Sequence, residues 1–503
     1  MSVSPTYENY EYIADGPVLK SQSIVECRLA DWSENRILAV SPNVVCGEAE
    51  VLPGEVRYGG KLFFSVVAAA PDGTLVAAER GVEFTHRAEC ESAAPAQRAD
   101  VSLCVEKTER RLEGRSVIVS AIVTATIRLR VPVQMRYLSG GEGVVCNFAP
   151  VRLPRSWQCS GTAELEEEFD TDYVSDVLLH SEQVYVTRAV CAAGCLDVSG
   201  EVNLGVLAGK AGEKEAVSYE RIIPFRAEIP CDEAVTGMAC RAEASVVSVS
   251  LTCACDEEKG RCRILAQINV EIRGRVSRAE ELQLPQDAFC LGHESVPATE
   301  KLSFEEPVCA FTAAERVSGT AAIDGNVDPN CSLQAAALCG VQIAATVSDG
   351  EIEAEGVLSA AVFFKDGEGN PKTVNVSLPF AFPVRCDRAR QGMRAEVTAI
   401  ACGVSARQLR AGELDAEGSL KLYVTLYVCE ESRYVCELTV GEERAEEGGA
   451  VGVYFPAAGD TLWETAKKLG KTAEEVQSCN PDLKFPLTGA ERIVVWRRKK
   501  LEA

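Results

Sequence analysis

Histidine is scarce: His86, His180 and His293 are the only three in 503 residues. Three imidazoles without patterned partners leave little room for a multi-histidine metal site or for histidine acid/base chemistry, and each reads as a solvent-facing or hydrogen-bonded side chain. No C-x-x-C pair occurs, and there is no G-x-S-x-G elbow, H-E-x-x-H or G-x-x-x-x-G-K-[ST] loop. Positive charge is also short, with 51 Lys plus Arg against 75 Asp plus Glu and a net charge of −24. Such a surface repels phosphates, which argues against a general nucleic-acid or anionic-membrane binder. Long apolar runs are missing too. A long uncharged stretch, residues 331–348 (CSLQAAALCGVQIAATVS), carries Ser, Gln and Thr throughout and is too polar for a span of about 20 apolar residues. The opening MSVSPTYENYEYIADGPVLK has neither a basic n-region nor an apolar h-region, so it does not read as a secretory signal. The expectation is a soluble, cytoplasmic protein without a membrane span.

Apolar content of 47% and charged content of 25% are ordinary for globular protein. At roughly 100–200 residues per domain, the length predicts three or four domains. Twenty-two cysteines are present, about half the density of a disulfide scaffold, for which the threshold is roughly 8–10%. Cys253 and Cys255 would share one face of a strand, but zinc ligation needs a second pair and none has the spacing. Most cysteines therefore read as reduced, buried, small apolar residues, with oxidative cross-linking in an assembly as the alternative.

Internal repetition is the strongest signal before residue 440. Three windows, GKLFFSVV from Gly60, GEVNLGVL from Gly200 and GVLSAAVF from Gly356, each open on glycine and alternate apolar residues. The alternating positions are Leu62, Phe64, Val66; Val202, Leu204, Val206; and Leu358, Ala360, Val362. Period two marks a strand with one buried face. An aromatic follows 24 or 25 residues after each glycine: Phe84, Phe225 and Phe380. Polar turns at Gly114, Gly260 and Gly412 then separate alternating runs, as hairpins do. The pattern predicts three tandem β modules, with boundaries near 155 and 298. GEERAEEGGAVG after Val440 reads as a solvated linker.

Weaker features receive bland readings. GVLAGKAGEK (Gly205 to Lys214) is loosely phosphate-loop-like, but Ala211 takes the Ser/Thr position, so it reads as a glycine turn after a strand. The acidic run Glu164 to Asp172 lacks calcium-loop spacing and reads as a solvated face. RRKK at Arg497 to Lys500 reads as solvated charge.

Residues 451–496 differ from the rest. Strand-like VGVYF is followed by Gly459-Asp460, then by Thr461 with Glu464 three residues on, a capping box. Leu462, Ala466 and Leu469 fall on one helical face, and Gly470 suits the C-cap. A second capping box follows at Thr472 and Glu475. Asn480-Pro481 ends that helix, and RIVVW supplies a closing strand. The order is β-α-α-β.

GDTLW, the Ala-Lys-Lys helix and the later Asn-Pro resemble a LysM domain. Those domains recognise N-acetylglucosamine polymers in a shallow groove between the first strand–helix loop and the loop after helix two. The resemblance implies a groove of Gly459, Asp460, Thr461, Leu462 and Trp463 on one side and Asn480, Pro481, Asp482 and Leu483 on the other. Equally, Asp460, Thr461 and Asn480 read as helix caps and Leu462 as core. The closing LTGAERIVVW departs from the proline-ended strand usual in the family, and Cys479 precedes Asn480.

Three β repeats followed by one such domain resemble the SipL-like spore morphogenesis family of endospore-forming clostridia, built from DUF3794 repeats. The resemblance implies a mainly β fold: three tandem β-sandwich-like repeat domains and a small βααβ LysM domain. It divides the chain into 1–155, 156–297 and 298–440, a linker at 441–450, and LysM at 451–498. It further implies a non-enzymatic scaffold in the mother-cell cytoplasm at the forespore surface. Its partner there would be the ATPase that polymerises into the spore coat's basement layer, with no cofactor and no metal. The alternative expectation is a peptidoglycan or N-acetylglucosamine-polymer binder, also non-catalytic.

Overall fold

The computed structural model describes residues 3–210, 213–256, 258, 260–322, 332–410, 413–444 and 451–496. Strands dominate. The first six are β1 (Ser4–Leu29), β2 (Arg36–Leu52), β3 (Glu55–Ala69), β4 (Leu75–Glu89), β5 (Arg98–Glu113) and β6 (Ser116–Glu142). The next six are β7 (Val144–Asp172), β8 (Val174–Ala192), β9 (Cys195–Lys210), β10 (Ala216–Pro230), β11 (Ala239–Asp256) and β12 (Arg261–Cys290). Then come β13 (His293–Ala322), β14 (Ser332–Ser348), β15 (Glu351–Lys365), β16 (Pro371–Arg385), β17 (Arg394–Arg410) and β18 (Glu413–Glu443). Each set makes two three-stranded antiparallel sheets. The orders are β1-β6-β5 with β2-β3-β4, β7-β12-β11 with β8-β9-β10, and β13-β18-β17 with β14-β15-β16.

The glycine-headed windows are the middle strands β3, β9 and β15. Their alternating side chains, Leu62, Phe64, Val66, Val202, Leu204, Val206, Leu358, Ala360 and Val362, are all at most 2% exposed. The aromatic that follows each glycine is its direct cross-strand partner: Gly60 faces Phe84, Gly200 faces Phe225 and Gly356 faces Phe380. In two of these pairs the ring lies over the bare backbone. A Cβ at Gly200 would stand 2.3 Å from Phe225 Cζ, and one at Gly356 would stand 2.6 Å from Phe380 Cζ and 2.0 Å from the Gln342 carbonyl. Only glycine leaves that space.

The turns also recur in detail. Gly54, Gly194 and Gly350 have positive φ. Their N–H groups donate to the carbonyls of Ala93, Ala234 and Ala389 at 3.0–3.1 Å, and their own carbonyls accept from Cys90, Cys231 and Cys386. Gly114 and Gly260 turn the hairpins with φ near +60°, the left-handed conformation that glycine adopts without steric cost. Gly412 lies outside the described residues.

Within each set the two sheets share a core. In the third it joins Val317 of β13, Leu358 and Val362 of β15, Leu378 of β16 and Leu420 and Leu422 of β18. Three further cores draw on all three sets, the smallest joining Leu138, Ala288 and Leu438. Val67, Leu207 and Phe363 meet in one, with Leu38, Leu179 and Ala361. Met135 and Tyr137, Leu153 and Leu284, and Leu302 and Tyr434 meet in another. Ion pairs also join sets: Arg241 of β11 to Glu396 of β17 at 2.6 Å, and Arg128 of β6 to Glu305 of β13 at 3.9 Å, the same Glu305 being held within its own set by Arg394 of β17 at 2.7 Å.

The chain passes between sets at Gly143 and at Leu291–Gly292. β7 and β13 therefore run unbroken through residues 155/156 and 297/298, where boundaries were expected. β18 likewise continues to Glu443, into the stretch read as linker, whose residues 445–450 lie outside the described residues. The acidic run from Glu164 to Asp172 is part of β7, with Glu164, Glu166, Glu168 and Asp170 on its exposed face. Of the phosphate-loop-like segment, 205–210 belongs to β9 and Ala211 is outside the described residues, as is Arg497 to Lys500. Most described cysteines are free, as expected, but only six of those eighteen are fully buried; Cys255 and Cys262, directly paired across β11 and β12, form a disulfide.

The last unit comprises β19 (Val451–Tyr454), α1 (Leu462–Leu469), α2 (Ala473–Cys479) and β20 (Ile493–Trp496), with β19 antiparallel to β20.

Candidate functional site

Both helices of the last unit start as their sequences dictate. Thr461 caps α1: its hydroxyl accepts from the Glu464 N–H, and the Glu464 carboxylate accepts from the Thr461 N–H. Thr472 and Glu475 do the same for α2. Each box satisfies two backbone donors that a helix start leaves free. Gly470 closes α1 in the left-handed conformation. Arg444, just after β18, donates to the Lys467 and Lys468 carbonyls at 3.4 and 3.1 Å, a cation at the negative end of the helix.

The residues singled out in the sequence divide into four groups. Asp460 and Asn480 are buried and occupied internally. Asp460 accepts from the Lys468 ammonium at 2.7 Å and from the Ala457 N–H at 3.0 Å, contacts that hold its carboxyl below the usual range. Asn480 donates to the Val476 and Val494 carbonyls and accepts from the Val494 N–H at 2.8 Å, joining α2 to β20. Leu462 and Leu483 are half-buried against one small core of Phe289, Ala466, Val476, Leu487 and Ile493. Gly459, Thr461, Pro481 and Asp482 are exposed.

Trp463 points the other way, into the body of the protein. Its Nε1 donates to Asp287 Oδ2 at 2.8 Å, and its ring meets Phe289 edge-on with centroids 5.2 Å apart. Lys467, one turn later, reaches both oxygens of Asp287 at 2.6 and 2.8 Å. Asp287 sits at a register shift in β12, and this irregularity re-aims the strand at the point where α1 docks. No spacing within residues 451–496 hinted at that contact.

Two surface features of the unit went unnoticed in the sequence. Val451, Val453, Phe455 and Trp496 are 48, 53, 67 and 60% exposed. Strand alternation puts Val451, Val453 and Phe455 on one side, with Trp496 opposite Val451. A cavity of about 150 Å³ opens between α2 and β20, lined by Val476, Cys479, Val494 and Trp496. The pattern V-x-V-x-F was the available signal for the stripe, and it had been absorbed into a generic strand.

Elsewhere, a cavity of about 220 Å³ lies between β8–β10 and strands β14 and β17. Asn203 lines it, donating to Glu220 and to the Ala401 carbonyl, while its Oδ1 is buried without a partner among the described residues. None of the histidines sits in either cavity. His86 packs edge-on to Tyr58, His293 contacts the Leu291 carbonyl, and His180 lies between the carboxylates of Glu79 and Glu182, 3.0 Å from each.

Compared with protein-family models the chain matches none, and no curated protein matches it.

Proposed function

We propose that the chain is a non-enzymatic scaffold of endospore coat assembly. In this reading the three strand sets are tandem β-sandwich-like repeat domains, and the last unit is a LysM domain that docks onto the coat's basement-layer ATPase at the forespore surface. The observation that carries the choice of a protein partner is how the polar groove residues are used. Asp460 and Asn480, the side chains best suited to bond sugar hydroxyls, are buried and already hydrogen-bonded within the unit. The unit also presents an apolar stripe outward: Val451, Val453, Phe455 and Trp496. Protein interfaces concentrate their energy in such aromatic and aliphatic anchors. Binding of N-acetylglucosamine polymers is the second reading, favoured by Thr461 and Asp482, which stay exposed on the two loops.

The test titrates the full-length protein in parallel with the coat ATPase and with N-acetylglucosamine oligomers. The scaffold reading expects saturable binding to the ATPase, weakened at least tenfold by Phe455→Asp and by Val453→Asp, two exposed positions of the stripe. Binding to the sugar alone would replace it with the second reading. Turnover of glycan by the purified protein would sink both.

A further inference from the structure

A third sulfur stands beside the Cys255–Cys262 disulfide. Cys253 and Cys255 are two residues apart on β11, so the pleat places them on one side. The register then sets Cys262 of β12 directly opposite Cys255. Cys253 Sγ lies 3.6 Å from Cys255 Sγ, and all three sulfurs lie within 4.8 Å of one another. Among the described residues no fourth Cys, His or carboxylate belongs to the group. Cys262 is buried, Cys253 half-buried and Cys255 exposed. The site therefore has an apolar floor, with Val174, Ala208 and Tyr219 among its neighbours, and one side open to solvent.

We propose that, once the disulfide is reduced, Cys253, Cys255 and Cys262 bind one soft metal ion of low coordination number, of the copper(I) class. Thiolates select such ions. Zinc in a structural site asks for four tetrahedral ligands, and the hairpin supplies three. The reducing step consumes two thiols: they deliver two electrons and two protons, the Cys255–Cys262 bond breaks into two thiols, and the reductant leaves as its own disulfide. Copper(I) then displaces one proton from each of the three cysteines. A sulfur bonded to its neighbour cannot also be a thiolate ligand, so oxidation and metal loading exclude one another. The hairpin thus holds metal only while its thiols are reduced.

The experiment uses the full chain, reduced with a phosphine and kept anaerobic, and counts copper(I) retained against bicinchoninate. Cys253→Ser and Cys255→Ser are compared with wild type and with Cys429→Ser, an exposed cysteine remote in sequence. Each hairpin variant is expected to hold one copper(I) fewer than wild type, while Cys429→Ser holds the wild-type number. X-ray absorption on the first copper equivalent is expected to show three sulfur neighbours. Cys255 is exposed, so its substitution spares the core, and circular dichroism verifies the fold of both variants. Equal copper counts in all four proteins would overturn the proposal. So would retention of zinc(II) in preference to copper(I) by the hairpin.

Discussion

The indole N–H of Trp463 and the carboxylate of Asp287 form a 2.8 Å hydrogen bond across 176 residues of chain. Lys467 binds the same carboxylate, so one acidic side chain on β12 anchors both turns of α1. Asp287→Ala is expected to leave an indole donor and an ammonium without their acceptor, costing about 2 kcal/mol. Amide hydrogen exchange should show the loss as faster exchange across 462–479, with β1 to β18 unchanged. Unaltered exchange in α1 would remove Asp287 from the account of how the last unit is held. Trp463→Ala would also loosen this anchor, so a loss of partner binding in that variant alone says little about the outer surface.

His180 joins β4 to β8 through Glu79 and Glu182. Burial by itself would lower the imidazole pKa, but the two carboxylates at 3.0 Å overcome it and raise the pKa to about 10. A raised folded value stabilises fully below the unfolded value of about 6.5, and that contribution disappears as pH rises through about 10. At pH 7 it is on the order of 4 kcal/mol. Denaturant titrations from pH 6 to 10.5 should show wild type losing its advantage over His180→Ala across that window. NMR should find no His180 titration between pH 5 and 8. An ordinary imidazole transition near 6.5 would refute the assignment.

Glu396 carries the opposite sign. Burial would raise its carboxyl, but the hydrogen bond and charge of Arg241, with Arg394 nearby, lower it to about 2. The pair is more than a third exposed, and solvent screening limits its worth to about 1 kcal/mol. That stability is present above the unfolded value near 4.5 and is lost as pH falls through about 2. Glu396→Gln should therefore flatten the acid-stability curve between pH 4.5 and 2 and leave the curve above pH 6 parallel to wild type.

Cys309 and Cys386 face each other with sulfurs 3.8 Å apart across 77 positions. Treatment with oxidised glutathione is expected to join them, with the two thiols losing two electrons and two protons to the glutathione disulfide. Closing a loop of that length is worth about 4 kcal/mol in the chain-entropy account. Peptide mapping should recover the 309–386 cross-link from wild type and not from Cys309→Ser. Its absence after full oxidation would mean that the pair cannot reach bonding geometry.

Gly356→Ala puts a methyl group against Phe380 and the Gln342 carbonyl. We expect a loss of about 3 kcal/mol, the upper range for overpacking a core, read as a lower denaturation midpoint. The same substitution at Gly54, where a Cβ meets nothing within 4 Å, should cost less and act only through its positive φ.

What the sequence made legible were the local relations. Alternation around Gly60, Gly200 and Gly356 marked the buried strands, and the aromatic 24 or 25 residues on turned out to be the cross-strand partner. The caps at Thr461 and Thr472 were readable because a capping box lies within four residues. Contacts between distant segments carried no such signature. The Asp287–Trp463 bond and the Cys262 sulfur beside Cys253 each depend on register and docking. The first of these turned Trp463, which LysM-like spacing placed beside a groove, toward the protein body. Set boundaries were displaced for a related reason: β7 and β13 begin as partners of the ends of β12 and β18, so pairing, rather than a change in composition, decides where a set starts.

The core around Val67, Leu207 and Phe363 takes strands from every set, like a keystone cut from three stones. Removing any set would leave the other two with uncovered aliphatic and aromatic surface at that point and again around Tyr137, Leu153 and Tyr434. A shorter descendant of this chain could not arise by simple deletion of one set. It would need new side chains at both junctions before the remaining strands closed on each other.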